Sequence, residues 1–135
     1  MENLYINHWA VWTAAVSNLL VGALWYSPAL FFNAWKQACG LDDEDFKGIN
    51  MGKMYAITFL LALVMSYNMA FFLGDEATTW QWGLAAGFLT GFGWAAMIFA
   101  VIALFEQRTW KYIFINGGYI VVYFSLIGFI LGLWR

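Results

Sequence analysis

WQWGLAAGFLTGFGWAAMIFAVIALF, residues 80–105, is a run of 26 residues without a charged side chain. At about 1.5 Å per residue, a helix of this length measures about 39 Å, enough to cross the roughly 30 Å hydrocarbon layer of a bilayer with some tilt. We therefore expect this segment to be a transmembrane helix. The rest of the chain should then form a helix bundle around it in lipid.

Glycines recur at every fourth residue of this segment, at Gly83, Gly87 and Gly91. Residues spaced by four lie near one face of a helix, and glycine there lets another helix approach closely. The last apolar segment carries a matching pair, Gly128 and Gly132. The pattern predicts helix packing through these five glycines, a glycine zipper. We expect the face on the 80–105 helix to join two copies of the chain in a homo-oligomer.

The composition supports a membrane protein. Hydrophobic residues make up 64% of the 135 residues and charged residues only 10%, whereas soluble domains use about 25% charged residues. The net charge of −2 and the scattered basic residues argue against a nucleic-acid partner. Cys39 is the only cysteine, which excludes an intrachain disulfide and a thiolate zinc site.

Four apolar segments are long enough to cross a membrane, and the connections between them are short. This predicts an all-α fold, an integral membrane four-helix bundle that forms a single domain over residues 1–135. The expected spans are residues 9–30, 54–73, 80–105 and 112–134.

The connection after the first span contains two further features. Residues 30–39 (LFFNAWKQAC) combine aromatic rings with Lys36, which is typical of a short interfacial helix in the headgroup plane. The acidic run at 42–45 places Asp42 at an N-cap and Asp45 three residues later, the spacing of a capping box. We interpret this run as a helix start rather than a cation site, because a helix dipole favours acidic first turns without a metal.

The basic residues indicate the orientation. Five of the six lie in the connections 31–53 and 106–111, and Arg135 alone lies at the other end of the expected bundle. The positive-inside rule therefore predicts that both connections are cytoplasmic and that both termini are outside.

Few side chains suit catalysis. No Asp, Glu, Lys or Arg lies within the expected spans, which argues against a proton-coupled exporter with a buried carboxylate. We expect His8, the only histidine, to form interfacial hydrogen bonds rather than to hold haem or a metal. We predict no catalytic residue, no metal site and no cofactor. Trp94 is expected near mid-membrane, unlike the tryptophans near the ends of the spans. An indole N–H at that depth needs a hydrogen-bond partner or a wet cavity.

Polar and aromatic residues occur at the cytoplasmic ends of different expected spans. They could line a shallow pocket for a neutral or amphipathic small molecule or a lipid headgroup, with Glu106 as its only acid. Alternatively, they could be interhelical contacts, with Glu106 paired to Lys53, Arg108 or Lys111. The residues in question are Trp25, Tyr26, Ser27, Asn50, Tyr55, Glu106, Asn116 and Tyr119.

Short motifs over nearly the whole chain resemble those of the domain of unknown function 1761 family. They are WYSP at 25–28, AW at 34–35, LFE at 104–106, NGGY at 116–119 and GFILGLW at 128–134. The resemblance implies a small four-span protein of the bacterial cytoplasmic membrane. It supplies no catalytic residue, because no activity of the family is established.

Three classes of function are compatible with these features. The first is a homo-oligomeric accessory or small-molecule and lipid-binding membrane protein, which associates with itself, with membrane lipid or with a larger membrane complex. The second is an oligomeric channel or carrier for a small neutral or lipophilic solute. The third is a membrane-embedded enzyme for a lipophilic substrate, for which the acid and base residues are nearly missing.

Overall fold

A computed structural model describes residues 4–135, and this part of the chain is helical with no strand. Four helices are long, and a short one follows the first of them. The helices are α1 (His8–Trp25), α2 (Phe32–Cys39), α3 (Met51–Phe72), α4 (Trp80–Phe105) and α5 (Trp110–Leu133).

Three of these helices, α3, α4 and α5, are long and apolar enough to cross a membrane. The first helix has 18 residues but falls outside that set of three, because the polar residues His8 and Asn18 lower its mean hydropathy. The prediction of helices long and apolar enough to cross a membrane is thus confirmed for three segments, and the fourth span remains an expectation.

The first helix is shorter than expected at its carboxyl end. It stops at Trp25 instead of residue 30, because the following Ser27-Pro28 turn cannot continue a helix. The Ser27 hydroxyl donates to the carbonyl of Leu24, 2.7 Å away, and satisfies one of the last carbonyls.

Helix α4 spans residues 80–105 as predicted, whereas α3 and α5 begin a few residues earlier than the predicted spans, because polar side chains cap them. The Asn50 side chain accepts from the backbone amide of Lys53, so α3 begins at Met51 rather than at residue 54. Thr109 caps α5 in the same way, and α5 therefore begins at Trp110 rather than at residue 112.

The connection between α1 and α3 contains the predicted short helix and the predicted capping box, and the location of the short helix in the headgroup plane stays a prediction. Gly40, with a left-handed φ of 71°, ends α2 at Cys39. Asp42 and Asp45 then form the expected capping box at the start of a short 3-10 helix, Asp43–Phe46.

Helix α5 lies between α4 and α1, and α3 packs mainly against α1. Neighbouring helices run antiparallel: Gly83 of α4 meets Gly128 of α5, and Trp25 of α1 meets Ile115 of α5. We refer to the two ends of this group as the His8 end and the Trp25 end. Since α4 contacts α5 almost alone among the long helices, much of its surface is free of protein contacts within the described residues.

The five glycines of the predicted zipper form the contact between α4 and α5. A Cβ added at Gly83 would collide with the carbonyl oxygen of Gly128, and one added at Gly87 would collide with that of Phe124. At Gly132 the nearest backbone atom, the carbonyl oxygen of Thr79, would be 2.6 Å away. The backbones touch because no side chain separates them. The glycine face therefore contacts α5 of the same chain, which corrects the expectation that this face receives a second copy.

The middle of α4 departs from α-helical geometry. Residues Gly91–Ala96 form a π-helical segment whose hydrogen bonds span five residues instead of four. Gly93 lies in this segment on the side away from the other helices, where an added Cβ would meet nothing within 4 Å. The sequence pattern contained no signal of this widened turn.

Candidate functional site

Hydrogen bonds join α1 to α5 at the Trp25 end. The Trp25 indole donates to the carbonyl of Ile115, 3.0 Å away, and the Tyr26 hydroxyl donates to the side-chain oxygen of Asn116. The Asn116 amide nitrogen donates in turn to the carbonyl of Tyr112, 3.1 Å away. These polar groups are therefore occupied by contacts between and within the helices.

Aromatic rings surround these hydrogen bonds. The Tyr26 ring lies 5.6 Å from the Trp35 ring of α2 and 5.2 Å from the Tyr119 ring of α5, both edge to face. The Trp25 ring lies 4.8 Å from that of Phe31. It fits against α5 because Gly118 has no side chain, and an added Cβ there would be 3.0 Å from the indole. We call Trp25, Tyr26, Trp35, Asn116 and Tyr119 the aromatic cluster.

Four of the predicted pocket residues lie outside this cluster, and one of them, Ser27, donates to the carbonyl of Leu24 at the end of α1. The Asn50 side chain caps α3, Tyr55 is half exposed on α3, and Glu106 is exposed at the end of α4. Among residues 4–135 the ion pairs are Lys36–Asp43 and Lys47–Glu44, so the expected pairing of Glu106 is not present there. The structure thus brings together Trp25, Tyr26, Asn116 and Tyr119, and it adds Trp35, which the sequence indicated as part of the short helix rather than as part of the pocket.

A second polar group lies at the His8 end. The Trp12 indole donates to the Tyr67 hydroxyl oxygen, 3.2 Å away, and that oxygen lies 2.9 Å from His8 Nδ1. With its oxygen accepting from Trp12, the Tyr67 hydroxyl can donate its proton to His8. The expected hydrogen bonding of His8 is confirmed, but the partner on α3 was not identified from the sequence, because an isolated tyrosine gives no pairing signal.

Arg135 also lies at the His8 end, where it links the end of α5 to the connection after α3. Its guanidinium donates to the carbonyls of Leu73 and Asp75 at 2.7 and 2.6 Å, and it lies over the Tyr5 ring. The Asn7 side chain donates to the Arg135 carbonyl at 3.4 Å. The arginine therefore serves as a donor to the free carbonyls at the end of α3.

Two side chains in the interior have no hydrogen-bond partner within residues 4–135. Asn18 of α1 and Ser66 of α3 are both fully buried, with exposed fractions of 0%. The opposite case is Trp94, whose indole is 80% exposed on the outer side of α4 and has no acceptor among the described residues. Buried polar groups without partners are rare, so Asn18 and Ser66 are candidates for ligand contacts.

Two observations concern the titratable residues of the described part of the chain. No three His, Cys, Asp or Glu side chains that could hold a metal ion come together within residues 4–135. Partial burial in α2 raises the pKa of the Cys39 thiol above its ordinary value, which disfavours the nucleophilic thiolate.

Comparison with known proteins gives one match. No curated protein and no solved structure matches the chain. The model of the DUF1761 family, described as a protein of unknown function, matches residues 9–132 and so includes the aromatic cluster and all five glycines of the α4–α5 contact. With nearly the whole chain covered by this match, the protein belongs to the DUF1761 family.

Proposed function

We propose that the protein is a four-span protein of the bacterial cytoplasmic membrane that acts by binding rather than by catalysis, as a homo-oligomeric accessory or lipid-binding protein. In addition to α3, α4 and α5, the first helix of the chain, α1, would also span the membrane. Its 18 residues correspond to about 27 Å of helix, close to the thickness of the hydrocarbon layer. It packs against α3 and α5, which are both apolar enough to span, so a membrane around those two helices would also contain α1.

The positive-inside rule supports one orientation. Five basic residues lie in the connections 31–53 and 106–111 at the Trp25 end, and Arg135 lies at the His8 end. We therefore infer that the Trp25 end is cytoplasmic and that both termini are outside.

Labelling of single cysteines from outside the cell tests this orientation. In a Cys39→Ser background, Asp75→Cys should react with a membrane-impermeant maleimide applied to spheroplasts, and Lys47→Cys should react only after the membrane is permeabilised. Both positions are exposed, so their accessibility to the reagent is matched. Reaction of Lys47→Cys in sealed spheroplasts would contradict the orientation.

The observation that supports a binding role is Trp94. It is the fifteenth of the 26 residues of α4 and so lies near mid-span, and its indole faces away from the other helices. Acyl chains offer no hydrogen-bond acceptor, and a polar group without a partner in hydrocarbon costs several kcal/mol. A partner molecule with an acceptor at this depth would remove that cost.

We infer that this partner is a second copy of the chain, bound through the outer side of α4. Gly93 beside the tryptophan leaves the backbone open to a close helix contact, as in other small-residue interfaces of membrane helices. A π-helical turn widens the hydrogen-bond ladder and frees a backbone carbonyl, so the segment Gly91–Ala96 offers an acceptor at the depth of the donor. A two-fold pair would thus be self-complementary, with each Trp94 donating to the other π-helical segment.

Disulfide cross-linking in native membranes tests this contact. In a Cys39→Ser background, Met97→Cys, one turn from Gly93 on the exposed side of α4, should form a cross-linked dimer, while Leu61→Cys, an exposed position in the middle of α3, should not. Adding Trp94→Phe should weaken dimerisation severalfold, because an interhelical hydrogen bond in a membrane contributes about 0.6 to 2 kcal/mol. Equal cross-linking at both positions would contradict the proposed interface.

A second candidate function is an oligomeric channel or carrier for a small neutral solute. The observation that favours it is Asn18, a polar side chain that the structure buries at mid-span without a partner among the described residues. A continuous wet path through the isolated oligomer would favour this candidate over the accessory role. No comparable observation favours the enzyme.

A further inference from the structure

The two arginines of the chain lie at opposite ends of α5, and their guanidinium groups have different surroundings. Arg135, at the His8 end, donates hydrogen bonds to the backbone carbonyls of Leu73 and Asp75. Arg108, at the Trp25 end, is exposed, and its guanidinium makes no hydrogen bond and no ion pair within residues 4–135. Its donors are therefore available to a group outside the described chain.

The Arg108 side chain lies near the start of α5 and the end of α2. Its guanidinium carbon is 5.2 Å from the centre of the Tyr112 ring. Partial burial raises the pKa of the Cys39 thiol, and the charge of Arg108 opposes part of that rise, so the guanidinium is also close to the last residue of α2. A guanidinium that lies over an aromatic ring keeps the donors at its edge free for an anion.

Lys111 adds a second cation three residues later. It is the second residue of α5, it is exposed, and it makes no ion pair among the described residues. The first turn of a helix carries a partial positive charge, and that of α5 contains no acidic residue. The one carboxylate of this connection, Glu106, is exposed and is paired with neither cation in the described part of the chain. Two cations here are unfavourable unless an anion lies beside them.

Exposed aromatic side chains indicate the depth of these cations in a membrane that contains α4 and α5. Trp110 and Phe114 have exposed fractions of 61% and 72%, and their rings are 6.0 Å apart. Phe105, the last residue of α4, is 87% exposed. Exposed aromatic rings at the end of a membrane helix are typical of the boundary between acyl chains and headgroups. The connection from α4 to α5 therefore lies at the level of the headgroups.

The other lysines at the Trp25 end are less suited to an anion. Lys36 pairs with Asp43 at 2.8 Å, and Lys47 pairs with Glu44 at 2.9 Å. Lys53 has no carboxylate partner among the described residues, but it is the only cation in the first turn of α3. The start of α5 is therefore the place at this end where two unpaired cations lie close together in the chain.

We propose that Arg108 and Lys111 bind the phosphate of an anionic phospholipid, with Trp110 and Phe114 against its acyl chains. This site rests on the proposed function, because it requires α4 and α5 to span the membrane, and it is independent of the dimer contact at α4. A guanidinium forms two parallel hydrogen bonds with a phosphate, and an ammonium adds a point charge. A headgroup with a net negative charge fits better than a zwitterionic one, whose own cation would be repelled by the two side chains.

Native mass spectrometry of the wild-type protein released from lipid nanodiscs tests the site. The nanodiscs contain equal amounts of phosphatidylglycerol and phosphatidylcholine with the same acyl chains. The protein should retain phosphatidylglycerol severalfold more often than phosphatidylcholine. Equal retention would overturn the site and leave the orientation and the dimer of the proposed function unaffected. Failure of the protein to enter nanodiscs would contradict the membrane assignment itself, and the lipid site with it.

A double variant, Arg108→Gln with Lys111→Gln, should lose most of the preference for phosphatidylglycerol. Both side chains are exposed and lack protein partners in the described chain, so the variant should remain folded. The matched control is Lys47→Gln with Lys53→Gln, which removes the same charge from two exposed positions at the same end and should keep the preference. An equal loss in the two double variants would show that only the net charge of this end matters, and would overturn the assignment to Arg108 and Lys111.

Glycerol phosphate, the soluble part of such a headgroup, distinguishes a lipid from a free phosphate ion. Added in excess to the wild-type protein, it should leave phosphatidylglycerol bound, because it has no acyl chain to contact Trp110 and Phe114. Displacement of most of the bound phosphatidylglycerol would indicate a soluble phosphate as the ligand and would overturn the choice of a lipid.

Discussion

Helices α4 and α1 both run antiparallel along α5, but they contact it through different chemistry. The α4 contact consists of backbone against backbone, with Gly83 and Gly128 so close that a Cβ on either would meet the other's carbonyl oxygen. The α1 contact consists of side chains: Trp25 and Tyr26 hydrogen-bond to α5, and Asn18 lies in the same contact without a partner among the described residues.

The α4 contact serves helix packing alone, whereas the α1 contact also contains polar side chains that could serve a function. A glycine contact has no side chains available for a ligand, and its only requirement is steric fit. The α1 contact retains polar groups that packing alone does not need, and burying them in a membrane protein is unfavourable. We therefore expect substitutions in the α4 contact to act through steric overlap, and those in the α1 contact to act through lost hydrogen bonds as well.

The largest expected effect is at the α4 contact. Gly87→Ala places a Cβ against the backbone of Phe124 and Ser125, which only a helix shift can relieve. Overpacking of this kind costs about 1 to 3 kcal/mol, and the higher helix propensity of alanine returns at most about 1 kcal/mol. The unfolding midpoint in mild detergent should fall. Gly117→Ala in α5 has open space for its Cβ and should be neutral or slightly stabilising, and equal effects of the two would contradict the assignment.

The next largest effect is at the hydrogen bonds of the aromatic cluster. Tyr26→Phe removes the donor to Asn116 and keeps the ring, so it should cost about 0.6 to 1.7 kcal/mol, the range for interhelical hydrogen bonds in membranes. Tyr55→Phe is the matched control, because Tyr55 is half exposed and makes no hydrogen bond through its hydroxyl within residues 4–135. Identical unfolding midpoints for the two variants would show that the Tyr26 bond contributes nothing.

A smaller effect is expected at Gly22, where the same Gly→Ala change meets a side chain instead of a backbone. The new Cβ would lie 2.9 Å from the Tyr119 hydroxyl, which can move because it is the far end of its side chain. The gain of about 1 kcal/mol in helix propensity should offset most of this strain. A loss of stability as large as that of Gly87→Ala would remove the distinction between the two contacts.

The smallest effect is expected at Glu106, which is exposed and lies outside the aromatic cluster. Glu106→Gln should change the free energy of unfolding by less than about 0.5 kcal/mol, as is usual for surface substitutions. The lipids that co-purify with the protein should also be unchanged. Altered headgroup composition in the variant would instead support the hypothesis of a cytoplasmic pocket with Glu106 as its acid.

Much of the architecture could be predicted from the sequence. A charge-free run of 26 residues with glycine at every fourth position indicates a membrane helix with a close-packing face. Capping residues such as Asp42 indicate where helices begin, because of their residue type and their spacing. These features are local, because they depend on length, hydrophobicity and helical periodicity.

Partner choice could not be predicted in the same way. The glycine face was expected to meet a second chain, and it meets α5 of its own chain, since periodicity describes a face but not its neighbour. Asn116 and Tyr119 were correctly expected near Trp25 and Tyr26, whereas Glu106 and Tyr55 point elsewhere on the surface. Residues at the same depth in a membrane need not face the same side of their helices.

The sequence by itself determined that the chain is helical and that it contains helices long and apolar enough to cross a membrane, because length, hydrophobicity and helical periodicity are local properties of the sequence. Only the tertiary structure decided which polar groups have partners. The amide of Asn18 and the indole of Trp94 differ little as sequence features, yet one is enclosed between helices and the other faces outward. Whether a polar group is satisfied depends on helix rotation and register, which no local pattern encodes.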